Sequence, residues 1–165
     1  LFRRKPKVQV EKMKGILNAY VPTPYDVVKE ILALGELKPN ELHYELGSGD
    51  GRLVIEAAKL GANSVGYELD EELARKSQNK IDRLELQAQI IHKDCLDVDY
   101  SQVDLITAYF VSSKPIFSEL INKIRSEMKD GARLVMVNKG MSDWEPVKTI
   151  YVQDNLRWPL SLYVK

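Results

Sequence analysis

The chain has 165 residues, carries 24 lysines and arginines against 24 aspartates and glutamates, and is 44% hydrophobic. That length fits one domain, and a chain of this size buries roughly 70% of its unfolded surface, enough for a core without staples. The hydrophobic fraction excludes a disordered chain, and no apolar run reaches the ~20 residues of a membrane helix.

In residues 1–14, Arg3, Arg4, Lys5, Lys7, Lys12 and Lys14 stand against Glu11 alone, leaving the rest with 18 basic and 23 acidic groups. Residues 1–19 read as a basic arm, either a solvated charge run or a contact to an anionic membrane surface, nucleic acid or protein. The chain opens on Leu1 rather than Met, which leaves room for an anchor or targeting segment upstream. Residues 20–165 form the domain.

Thr23-Pro24-Tyr25-Asp26 predicts a helix start, with Thr23 as cap and Pro24 at the first position. Val27, Val28, Ile31 and Leu32 mark its apolar face, and Gly35 closes it. A strand follows over Glu41–Leu46, then glycines to Gly51, then a helix holding Leu53, Val54, Ala57 and Leu60. Ser64–Leu69 predicts a strand, Asp70–Leu84 a charged helix, and Gln89–His92 another strand. Asp104–Val111 is the most apolar strand candidate. Ile116, Leu120, Ile121 and Ile124 give a helical stripe, and Arg133–Val137 a further strand. This alternation predicts a mainly parallel sheet with helices on both faces. Thr149–Val152 and Leu160–Val164 lie too close together for a crossover helix, so they form an antiparallel hairpin at the sheet's end.

Cys95 is the only cysteine, and His43 and His92 the only histidines. An internal disulfide is excluded, a zinc cluster of the usual ligands is disfavoured, and a reducing, cytoplasmic-type compartment is expected. Both histidines fit packed strand positions better than catalytic ones.

Three glycines fall within Glu45-Leu46-Gly47-Ser48-Gly49-Asp50-Gly51, between a strand and a helix, where such sheets bind ligands. A dinucleotide fingerprint needs its third glycine where Arg52 stands, and a P-loop needs Gly-Lys-Ser/Thr, which Gly51-Arg52-Leu53 is not. An acid beside the loop suits a cationic ligand. Glu68 and Asp94 then end the next two strands, Glu68 about 20 residues after the loop, where an acid meets a ribose.

The acid-x-G-x-G-x-G pattern resembles motif I of class I S-adenosylmethionine-dependent methyltransferases. With Tyr20-Val21-Pro22-Thr23-Pro24, Thr107-Ala108-Tyr109-Phe110 and Trp144-Glu145-Pro146, the chain is similar to the small archaeal protein-lysine methyltransferases and their mitochondrial relatives, over residues 20–164. The resemblance implies a Rossmann-like, doubly wound, mainly parallel seven-stranded α/β sheet with an antiparallel C-terminal strand. It implies S-adenosyl-L-methionine as cofactor, with Tyr20, Thr23, Glu45, Gly47, Ser48, Gly49, Glu68, Leu69, Asp94 and Cys95 against it. Glu68 would accept the ribose hydroxyls and Asp94 the adenine amino group. Tyr109 is the candidate for lining the channel of the incoming amine. No metal is implied. Where the archaeal relatives place a Ser-His pair, this chain has Met136-Val137 followed by Asn138-Lys139.

The substrate implied is an exposed lysine of a protein, and the enzyme is expected to be a monomer. The alternatives are an RNA or small-molecule methyltransferase of the same fold, or a non-catalytic S-adenosylmethionine-binding module. The missing Asn/Asp-Pro-Pro-Tyr/Phe after the fourth strand disfavours methylation of planar base nitrogens.

Overall fold

The computed structural model describes residues 21–110, 115–138, 140–153 and 156–165. The basic arm and Tyr20 lie outside the described residues. Seven strands form one sheet: β1 (Leu42–Leu46), β2 (Asn63–Glu68), β3 (Ala88–His92), β4 (Leu105–Tyr109), β5 (Arg133–Val137), β6 (Lys148–Gln153) and β7 (Arg157–Val164). Their spatial order is β3-β2-β1-β4-β5-β7-β6. The first five run parallel, and β7 pairs antiparallel with both β5 and β6. The expected α/β sheet and its terminal hairpin are therefore present, with β7 inserted between β5 and β6. Strand order reverses between β1 and β4, which opens a crevice beyond their carboxyl ends.

Helices α1 (Tyr25–Leu34), α2 (Arg52–Lys59) and α3 (Glu71–Arg83) cover one face, and α4 (Pro115–Glu127) covers the other. On the first face Val28, Ile31 and Leu53 share a core with Leu105, Val135, Trp158 and Leu160. On the second, Phe117, Leu120, Ile121 and Ile124 share one with Ile106, Ala108, Leu134 and Met136. The stripes spaced at helical period in the sequence are the buried ones, as amphipathic packing requires.

Two local expectations need correction. Thr23 makes no side-chain cap: α1 begins at Tyr25, and Pro24, at φ −57° and ψ 145°, is extended and occupies the cap position. Gly35 closes α1 as expected, at φ −71° rather than in the left-handed turn that often ends a helix. Glu36 takes that turn at φ 50°. Gly35 also suits a tight space, because a Cβ there would lie 2.8 Å from the end of the buried Leu105 side chain, which would have to shift. Leu60 falls just past α2 and is half exposed, so it adds nothing to that helix's buried face.

Candidate active site

The turn from β1 to α2 uses its glycines for their backbone. Gly47, Gly49 and Gly51 have φ of 74°, 54° and 74°, a region that penalises any side chain with a Cβ. Glycine takes this conformation without strain at all three positions. The loop is stitched to β2: the Gly47 and Ser48 amides both donate to Tyr67 O, at 2.8 and 3.1 Å. Close approach is permitted by Gly66, where a Cβ would stand 2.6 Å from Ser48 Cβ and 2.7 Å from Ile90 Cδ1. From α3, Ser77 Oγ donates to Gly49 O at 2.6 Å.

Glu68, buried at the end of β2, clamps the same loop. Its Oε2 accepts from Gly49 N at 2.8 Å and its Oε1 from Asp70 N at 2.9 Å. Each oxygen keeps a second lone pair for a ligand. Asp94 follows β3 and caps the single 3-10 turn Cys95–Asp97, accepting from Leu96 N at 2.9 Å. Cys95 is buried beside it, and burial, then the nearby Asp94 and Glu68 carboxylates, push its thiol up to about 12. Leu69 is half-buried against the α4-side core, and its carbonyl meets His92 Nε2 at 3.0 Å.

Glu45 is the most unusual group. Its Oε2 is inaccessible to solvent and has no hydrogen-bond partner. Burial holds its carboxyl well above the usual carboxylate range, and Asp50 and Glu68 push it the same way. The Val54 N–H and Arg52 pull it back. Ser48 Oγ is likewise buried and unpartnered. A buried polar atom without a partner costs roughly 1–3 kcal/mol, so both groups are suited to a ligand that completes them. The acids and bent glycines fit a ligand bearing cationic groups.

In the sequence Arg52 stands out only for breaking a fingerprint, yet in the structure it joins two parts of the site. Its Nε and Nη2 grip Asp50 Oδ1 and Oδ2 at 2.9 and 2.7 Å, while Nη1 donates to Thr23 O at 2.7 Å. The guanidinium also lies over the Tyr25 ring, 5.1 Å from its centroid. The Pro22–Pro24 strip is thereby tied to the glycine loop, and Thr23 reaches the site through its carbonyl.

Tyr109 ends β4, on the crevice side of the switch point. Its ring meets Trp158 edge-on at 5.7 Å, and its hydroxyl accepts from Asn138 Nδ2 at 3.2 Å. His43 takes no part in the crevice. It lies wholly buried between Ser64 Oγ, 2.7 Å from Nδ1, and Thr107 Oγ1, 2.9 Å from Nε2, and burial lowers its pKa to about 3. The structure thus places Glu45, Gly47, Ser48, Gly49 and Glu68 together around one turn: Gly49 is bonded to Glu68, Gly47 and Ser48 to the neighbouring Tyr67, and Glu45 is close enough to feel the Glu68 charge. Asp94, Cys95 and Leu69 lie at the ends of the strands alongside, and Tyr109 across the switch point.

A family profile described as "ANTKMT methyltransferase domain" matches residues 45–148. A protein-lysine N-methyltransferase of Saccharolobus islandicus is 31% identical over 150 residues, covering 88% of this chain and 92% of that protein. The adenine nucleotide translocase lysine N-methyltransferase of Mus musculus is 28% identical over 153 residues, and the match spans 90% of this chain but 62% of the mouse protein. An RNA methyltransferase from Salinibacter ruber, solved with S-adenosyl-L-homocysteine, shares the fold at a TM-score of 0.80 and 28% identity, covering 87% of this chain and 93% of that one. The chain belongs to the family of the ANTKMT methyltransferase domain: it is a class I enzyme whose cofactor is S-adenosylmethionine.

Proposed function

We propose that the enzyme methylates the ε-amine of lysine in a protein substrate. The observation that carries this reading is the 31% identity to a protein-lysine N-methyltransferase across 92% of that relative's length. The Tyr-bearing end of β4, in place of an Asn/Asp-Pro-Pro motif, supports it.

The bound cofactor supplies a methyl carbon activated by an adjacent sulfonium. Glu45, with its orphaned Oε2, would hold the cofactor's ammonium, Glu68 its ribose hydroxyls and Asp94 its adenine amino group. Ser48, Leu69 and Cys95 would wall the pocket, and Thr23, with Tyr20, would close over it. Because methyl transfer is an in-line displacement, orientation is the protein's main contribution. The lysine must arrive neutral although its free pKa is about 10.4. An aromatic channel beside Tyr109 and Trp158 disfavours the ammonium by desolvation. Water then suffices as the proton acceptor.

The reading extends to a monomer, and to a reducing, cytoplasmic-type compartment, the latter supported by the single, buried Cys95. The basic arm suits an anionic partner. One observation favours a second reading: the Salinibacter ruber relative is described as an RNA methyltransferase. Methyl-labelled cofactor in a cell lysate decides between them. Label removed by protease and found on lysine by mass spectrometry supports the proposal, whereas label removed by nuclease overturns it.

A further inference from the structure

The carboxyl end of β5 carries a feature that the cofactor cradle does not explain. Asn138 has φ 63°, a left-handed conformation that asparagine tolerates better than most residues with a side chain. Its own N–H donates to Pro159 O at 2.9 Å, which ties the turn to β7. The turn brings its carboxamide to the neighbouring strand, where Nδ2 donates to the Tyr109 hydroxyl at 3.2 Å. Tyr109 stands opposite Val137 in the β4–β5 register, and Trp158 meets its ring edge-on at 5.7 Å. The indole therefore fixes the ring, and the carboxamide fixes the hydroxyl. The pair sits at the carboxyl ends of β4 and β5, the edge of the sheet beyond which the crevice opens, with Asn138 exposed and Tyr109 half-buried.

Strand termination alone does not require this arrangement, since glycine would take the same φ with less strain. The two residues ahead of Asn138, Met136 and Val137, are buried, and their apolar side chains offer the crevice no hydrogen-bonding group. Among the described residues, the Asn138 carboxamide is a polar group that β5's end adds beside Tyr109.

We propose that Asn138 is a positioning residue for the reaction, acting through Tyr109, and that the pair favours the first two methyl transfers over the third. This rests on the lysine reading above. By donating to the phenol oxygen, Asn138 engages one lone pair and leaves the other to accept an N–H of the incoming neutral amine. That contact aims the nitrogen's lone pair at the methyl carbon. The lone pair forms the new N–C bond, and the C–S bond breaks with its electrons passing to sulfur. The product is a neutral thioether, and the new ammonium releases a proton to water. Each transfer replaces one N–H by a methyl group. A neutral dimethylated amine therefore has no N–H for Tyr109 to accept.

The test is a double-mutant cycle on poly-L-lysine and on poly-L-lysine chemically dimethylated at its amines. Asn138→Gly keeps the left-handed backbone without the carboxamide, and Asn138→Asp keeps the shape but replaces the donor by an acceptor. Both should lower kcat on unmethylated polymer by about two- to tenfold, the worth of one neutral hydrogen bond. Cofactor Kd and thermal midpoint should hold, and the loss on dimethylated polymer should stay below about twofold. In a Tyr109→Phe background, Asn138→Gly should have no further effect, because its route through the hydroxyl is gone. Equal losses on both polymers, additive losses in the cycle or an unchanged kcat overturn the proposal. A wild-type enzyme that binds cofactor but methylates neither polymer overturns the lysine reading, and this inference with it.

Discussion

Removing the Glu68 carboxylate should damage the fold as well as the cofactor site. An acid at a strand end facing a cleft is expected to add little to stability, but this one accepts from Gly49 N at 2.8 Å and from Asp70 N at 2.9 Å. Glu68→Ala orphans both donors. Gly49 N is buried and carries the full desolvation penalty of roughly 1–3 kcal/mol, while Asp70 N, half open to water, loses less. A total of about 2–3 kcal/mol corresponds to roughly 5–10 °C in thermal midpoint for a chain of this size. Glu68→Gln should rescue little, because its carboxamide offers one acceptor oxygen and turns an NH2 toward the other amide. Cofactor affinity should fall by a further ten- to hundredfold, roughly the worth of hydrogen bonds to a charged group. Differential scanning calorimetry and titration calorimetry read the two effects separately. A Glu68→Ala protein with an unchanged midpoint would refute the clamp, and one with unchanged affinity would remove Glu68 from the site.

Arg52→Lys should behave almost as Arg52→Ala, since a single ammonium cannot bond Asp50 and Thr23 together; both variants should expose the Pro22–Pro24 strip to limited proteolysis and weaken cofactor binding. His43 is neutral when folded, with a pKa of about 3 against an ordinary 6.5, so the folded state binds fewer protons between those values. Its contribution is complete above pH 6.5 and is lost on acidification at up to about 1.4 kcal/mol per pH unit, and urea midpoints measured across that range should show the slope. Glu45 has the opposite sign: its raised pKa means the folded protein binds more protons, so stability falls as pH rises above 4.5. A cationic ligand reverses that preference, so cofactor binding should release a proton, seen by calorimetry in buffers of different ionisation heat and absent in Glu45→Gln.

Much of this fold is legible in the sequence because it rests on spacing. Val27, Val28, Ile31 and Leu32 are buried as their period requires, and Arg133–Val137 is a strand over the residues its apolar run marks. Local capping rules predict a Thr23 cap because they do not register a proline that keeps an extended ψ. Gly66 carries a readable signal, since an isolated glycine within a strand pattern implies close backbone approach. The Arg52–Thr23 and Ser77–Gly49 contacts have none: they join residues 29 and 28 positions apart, and no local period encodes them. The placement of β7 between β5 and β6 is likewise decided by pairing between distant strands, which neither segment states alone.

The loop's own amides argue for the kind of ligand it selects. A pyrophosphate is bound by free N–H groups of a glycine turn and a helix start. Here the Gly47 and Ser48 amides are engaged by Tyr67 O, Gly49 N by Glu68, and Gly51 N by Ser48 O at 2.9 Å. The Arg52 guanidinium is bound to Asp50 and Thr23, and its charge is neutralised by Asp50. What remains at the cradle is the Glu45 carboxyl with its orphaned Oε2, the Ser48 hydroxyl, and the second lone pairs of Glu68. A phosphate there would meet the Glu68 carboxylate and few donors, whereas an ammonium beside a sulfonium would draw Glu45 into its charged form and meet complementary charge. S-adenosylmethionine and its demethylated product should therefore raise the thermal midpoint, and NAD should leave it unmoved. At a ligand concentration a hundredfold above Kd the expected stabilisation is about 2.7 kcal/mol, or roughly 5–10 °C. Stabilisation by NAD without stabilisation by S-adenosylmethionine would reverse the assignment of the cradle.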